Sequence, residues 1–100
     1  MVWEIAQIEV KSGEEAVFEA AATRAVPLFR RAKGCRSMQM QRSVEYPGRY
    51  RLIVEWDTVE DHTVHFRESA DFQEWRRLVG GHFAAAPSVE HTQRLQLGFS

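Results

Sequence analysis

Two histidines three residues apart, His62 and His65, stand in a stretch dense with aromatic rings: Trp56, Phe66, Phe72 and Trp75. Imidazole changes charge near neutral pH, so either ring could move a proton, bind a metal or simply pack. Metal is the poorest fit. Helical zinc motifs space their histidines at i and i+4. Here the second comes at i+3, no cysteine supports the pair, and Asp61, Glu68 or His91 would have to complete the site. No metal is expected. His62 reads as a surface or pocket-rim residue. His82 follows two glycines and could border an entrance, while His91 would line a pocket or lie half-buried at a subunit face. Cys35 has Arg36 beside it but no histidine or second cysteine nearby in sequence, and reads as a buried, inert thiol.

The elements that must position these residues follow from periodicity. Val2 to Val10 alternates as a strand and ends at Lys11-Ser12-Gly13. Phe18, Ala21, Ala22, Ala25, Leu28, Phe29 and Ala32 then fall on one helical stripe, with Glu14 and Glu15 at its start and Arg30, Arg31 and Lys33 at its end. Gly34 is the expected stop, and Pro27 predicts a bend or an interruption. Cys35 to Val44 is a second strand, Glu45-Tyr46-Pro47-Gly48 a turn, and Arg49 to Trp56 a third strand, together a hairpin. Tyr50, Leu52, Val54 and Trp56 alternate on one face; Arg51, Ile53 and Glu55 take the other, and either could meet the helices. Thr58, with Asp61 three places on, predicts a helix start that carries His62 and His65. Ser69 to Asp71 breaks it. Phe72, Trp75, Leu78 and Val79 form another stripe that ends at Gly80-Gly81, and Ser88 to Leu97 is the last strand.

That order is β-α-β-β-α-β, a ferredoxin-like α+β domain over residues 1–100 with a four-stranded antiparallel sheet and helices on one face. Its strands carry apolar residues on both faces, Ile5 and Ile8 or Leu52 and Ile53. A second sheet should therefore cover the far face, and a homodimer is expected. Gln7, Gln39 and Gln41 would bond across that dimer or orient a polar substrate. Met38, Met40, Tyr50, Leu52 and Trp56 read as core or interface.

Composition narrows the partners. A net charge of −1 gives no electrostatic footprint for nucleic acid. The third strand also lacks the central aromatic and the glycines of an RNA-recognition motif. No apolar run approaches the roughly 18 residues of a membrane span. With no charged leader before an apolar block and a lone cysteine, a cytoplasmic chain is expected.

The stretch VEWDTVEDHTVHFRESADFQEW, the Pro-Gly hairpin before it, HFAAAPSVEH after it and AVPLFRRAKGCRSM, from the first helix into the second strand, resemble the antibiotic biosynthesis monooxygenase-like family of dimeric α/β barrels. The resemblance implies that fold over nearly the whole chain. It also implies kinship with cofactor-independent oxygenases, in which a base deprotonates a phenol or anthrone and the anion reacts directly with dioxygen. His65 would be that base, and Trp56, His62, Phe66, Phe72, Trp75 and His91 would surround a small aromatic or apolar substrate, with no cofactor. The haem-degrading branch fits poorly: Phe72 to Arg76 holds no histidine, and His65 stands where that branch has tryptophan. Two readings stay open. One is a cofactor-free oxygenase of a quinol or anthrone-like substrate; the other is a non-catalytic dimeric module that binds a small apolar ligand or serves as a structural partner.

Overall fold

The alternation in the first and third strands becomes an antiparallel register in which Val2 faces Trp56, Glu4 faces Val54, Ala6 faces Leu52 and Ile8 faces Tyr50. The computed structural model describes residues 1–100. Its elements are β1 (Val2–Glu9), α1 (Glu15–Arg30), β2 (Cys35–Arg42), β3 (Arg49–Trp56), a π-helical turn (Asp61–Phe66), α2 (Ala70–Val79), a 3-10 turn (Gly80–His82) and β4 (Ser88–Thr92). The sheet order is β2-β3-β1-β4, all antiparallel, as the ferredoxin-like plan requires.

Packing resolves the ambiguous face of β3. Tyr50, Leu52, Val54 and Trp56 point to the helices and are buried, as is the Glu4, Ala6, Ile8 and Val10 side of β1. The predicted stripe of α1 closes over them, and Phe18, Ala25 and Phe29 are essentially inaccessible. Burying a ring of that size contributes about 1.5–3 kcal/mol. α1 is not interrupted at Pro27 and runs on to Arg30. Pro27 is exposed in the last turn, where the Thr23 carbonyl it leaves unbonded can take water. Gly34 then turns the chain with φ +76°. Any Cβ there would overlap the Asp61 carboxylate, so glycine is required twice over.

Two further elements differ from expectation. The segment after Thr58 starts with the predicted cap, Asp61 N–H to Thr58 Oγ1 at 3.1 Å, but winds as a π-helix, with Arg67 N–H donating to the His62 carbonyl. The last strand stops at Thr92, five residues short of Leu97. Thr92 pairs with Trp3 at the start of β1, so beyond it the partner strand runs out. Leu95, Leu97 and Phe99 are consequently exposed. The far face of the sheet carries half-exposed Trp3, Ile5 and Ile53.

Candidate active site

β1 places one acid on an otherwise apolar inward face. Glu4 is 5% exposed, between Val54 on one neighbouring strand and His91 on the other. Such a group needs partners in a dry setting. Trp56 Nε1–H donates to Glu4 Oε1 at 3.0 Å, and His62 Nε2 lies 3.3 Å from the same oxygen. His62 Nδ1 is in turn 2.8 Å from His91 Nε2. A chain of four side chains from three strands and the π-helical turn, Trp56–Glu4–His62–His91, therefore runs beneath the helices. The Trp56 indole also stacks on the His62 ring, centroids 5.4 Å apart and planes 16° apart. π-helical turns are common at functional sites, and this one brings His62 inward.

Burial sets the protonation of the chain. It pushes the Glu4 carboxyl up to about 7, although the Trp56 hydrogen bond and the Arg67 charge pull the other way. It pushes His62 down to about 4, assisted by the charges of Arg67 and His91. His91 is lowered too, by burial and then Arg67. At neutral pH His62 is thus uncharged, and its contact with Glu4 is a neutral-donor hydrogen bond rather than an ion pair. With Glu4 ionised, His62 donates from Nε2 and accepts at Nδ1 from His91. Both acceptor contacts fall on Oε1. Oε2 takes no protein partner, yet no buried polar side-chain atom is left unsatisfied, so Oε2 is accessible. A carboxylate poised near neutrality with one open oxygen is the arrangement a general base requires.

Glu4 and His62 open onto a cavity of about 620 Å³ between the inner sheet face, α2 and the segment through Pro87. That volume is ordinary for a small-molecule site. Phe72 and Trp75 form one wall, Ala6, Ile8 and Leu52 the floor, and Phe83 lies across. Trp75 is held edge-on to Phe29 at 5.0 Å and 87°, and Phe72 to Phe66 at 5.7 Å and 79°. Such pairs contribute about 0.5–1.5 kcal/mol each and fix the wall.

Of the residues expected from sequence, His62, Phe72 and Trp75 line the cavity. Trp56 and Phe66 are fully buried behind it, touching His62 and Phe72 respectively, and His91 supports His62. His65 is apart from them. Its side chain is 48% exposed, with Nδ1 3.2 Å from Asp61 Oδ1, outside the cavity lining. The two histidines therefore do not converge on a shared metal position. His82 is tied to Glu14 at 2.8 Å. Gln7, Gln39 and Gln41 lie on the far face of the sheet, so none reaches this cavity. Cys35 is half-buried, its thiol pushed up to about 11 by burial and then by the Glu4 charge. No motif singles out Glu4, Arg67 or Arg76. For Glu4 a signal existed: an acid in phase with Ala6, Ile8 and Val10 on a strand.

Residues 1–78 match the family model for antibiotic biosynthesis monooxygenase. The chain is 40% identical to the uncharacterised protein YczJ of Bacillus subtilis, over 93% of this chain and 98% of that one. A solved structure from Bordetella bronchiseptica, assigned to the antibiotic biosynthesis monooxygenases, superposes with a TM-score of 0.93 at 54% identity, covering 94% of this chain and 96% of the other. SnoaB of Streptomyces nogalater, a cofactor-independent oxygenase, shares the fold with a TM-score of 0.80 at 16% identity, over 96% of this chain and 94% of its own.

Proposed function

The chain belongs to the antibiotic biosynthesis monooxygenase family, and on that premise we propose that it is a cofactor-independent oxygenase of a small enolisable or phenolic aromatic substrate. Glu4 is the base. The observation that carries this reading is the Glu4 carboxyl, buried, raised to about 7, lining a mostly apolar cavity and left without a protein partner at Oε2. Trp56 and His62 hold Oε1 by donating to it, and His91 fixes the His62 tautomer. These three are positioning residues.

For a substrate with an acidic methylene, Glu4 Oε2 takes a proton from carbon and leaves a carbanion conjugated with the arene. The carbanion passes an electron to dioxygen, and the radical pair combines to a peroxide anion. That anion recovers the proton from Glu4 as a hydroperoxide, which loses water to leave a ketone. One dioxygen is consumed, one oxygen atom enters the product and the other leaves as water. The apolar walls keep bulk water from reprotonating the carbanion before dioxygen reaches it. SnoaB, a cofactor-independent oxygenase on the same fold, supports the class of chemistry by analogy.

The working unit is proposed to be a homodimer joined through the far sheet face. Trp3, Ile5 and Ile53 give that face an apolar centre, and Arg51 and Glu55 on it let two copies pair opposite charges. No nucleic-acid partner is proposed; the burial of Tyr50 and Trp56, the aromatics of β3, supports that reading because they cannot stack on bases.

The test is oxygen uptake by the purified protein with dihydroxynaphthalenes and anthrones, a chelator present and no flavin added. Glu4→Gln should reduce uptake by about a hundredfold or more, the usual contribution of a positioned base. Uptake unchanged in Glu4→Gln would remove Glu4 from the reaction. Binding of the same arenes with no uptake would favour the ligand-binding module.

A further inference from the structure

Two cations face the same cavity, and no carboxylate forms a salt bridge with either. Arg67, just after the π-helical turn, and Arg76, on α2, both line it. Neither takes part in a salt bridge or a side-chain hydrogen bond, although carboxylates stand close by in sequence. Asp71 and Glu74 are committed elsewhere, Asp71 gripping Arg31 through two 2.8 Å bonds and Glu74 holding Arg77, while Glu68, next to Arg67 in sequence, forms no salt bridge and does not line the cavity. The only acid lining the cavity is Glu4. Arg67 shares the cavity lining with Glu4 and His62, and its charge lowers the pKa of both and of His91.

Exposure orders these groups. Glu4 and His62 are buried at the floor, Phe72 and Trp75 form the wall, and Arg67 and Arg76 are exposed, at the mouth. Guanidinium is the side chain suited to a planar oxyanion, because its fork donates two parallel N–H bonds. We propose that the cavity takes a monoanionic aromatic acid, its carboxylate held at the mouth by Arg67 and Arg76 and its acidic C–H or O–H turned to Glu4. This rests on the oxygenase reading of the same cavity and adds the substrate's charge. It also gives Arg67 a second use: its charge favours the carbanion or phenolate that forms when Glu4 takes the proton.

The test is binding without turnover. Under nitrogen and at low salt, 6-hydroxy-2-naphthoate and its methyl ester are titrated calorimetrically into wild type, Arg67→Gln, Arg76→Gln and the double variant. The acid should bind wild type about tenfold more tightly than the ester, as two partly screened contacts together predict. Each single variant should lose part of that preference, and the double variant should bring the ratio to about one. Added salt should shrink it in wild type. Equal binding of acid and ester by wild type, or a preference that survives in the double variant, overturns the proposal. Neutral arenes oxidised through Glu4 with no acid preference would overturn this inference alone and leave the oxygenase reading in place. Acid preference without oxygen uptake by any arene would support the ligand class and fail the chemistry.

Discussion

Replacing Glu4 by glutamine removes one titration from the core while keeping an acceptor oxygen for Trp56, so its effect on stability should depend on pH in a calculable way. The folded-state carboxyl sits at about 7 against an ordinary 4.5. Between those values the folded protein binds more protons than the unfolded chain, and stability must fall as pH rises. The stability from neutral Glu4 is full below 4.5 and is lost as pH rises through about 7. A difference of about 2.5 between the two values, at about 1.4 kcal/mol each, is about 3 kcal/mol. His62 works the other way. Lowered from 6.5 to about 4, it contributes stability that is full above 6.5 and lost as pH falls through about 4. In wild type the two nearly cancel over pH 4.5 to 6.5. In Glu4→Gln only the histidines remain, His62 and, in the same direction, His91, so stability should climb across that window. Urea unfolding at pH 4, 5, 6, 7 and 8 measures it. The difference between Glu4→Gln and wild type should move by about 3 kcal/mol in favour of the variant from pH 4 to pH 8. A difference that stays constant would mean Glu4 titrates in the fold as it does unfolded, and the argument for a base poised near neutrality would collapse.

Other consequences are simpler to read. His65→Ala should leave oxygen uptake within about twofold, since His65 lies outside the cavity; loss of uptake with an intact fold would return the base to that residue. Gly34→Ala should cost at least about 2 kcal/mol in urea unfolding, because it combines a left-handed φ with overlap on the buried Asp61 carboxylate. Ile53→Lys, on the far sheet face, should convert a dimer to a monomer in sedimentation or size-exclusion experiments; an unchanged mass would place the interface elsewhere.

Much of the fold was legible because alternation and helical stripes are local signals. The β-α-β-β-α-β order, the buried stripe of α1, the Thr58 cap, the break at Ser69 and the hairpin all follow from neighbouring residues. What could not be read depends on partners distant in sequence. β4 ends where β1 begins, so the continued alternation through Leu95 and Leu97 was misleading. The inward face of β1 could not be chosen while Trp3 and Ile5 competed with Ala6 and Ile8. That ambiguity hid Glu4, whose significance appears only when its side of the strand is known to be buried. The π-helical winding decided which histidine turned inward, and three-residue spacing alone had left both open.

The central claim is that a buried carboxylate at the cavity floor accepts the substrate's proton, and the pH dependence of oxygen uptake addresses it most directly. With an uncharged substrate, kcat/KM for wild type should rise through an apparent pKa near 7 and then level off, since only ionised Glu4 can accept the proton. Glu4→Gln should lose both the rate and that rise. A profile flat from pH 5 to 8, or one whose rise survives in Glu4→Gln, would contradict the account.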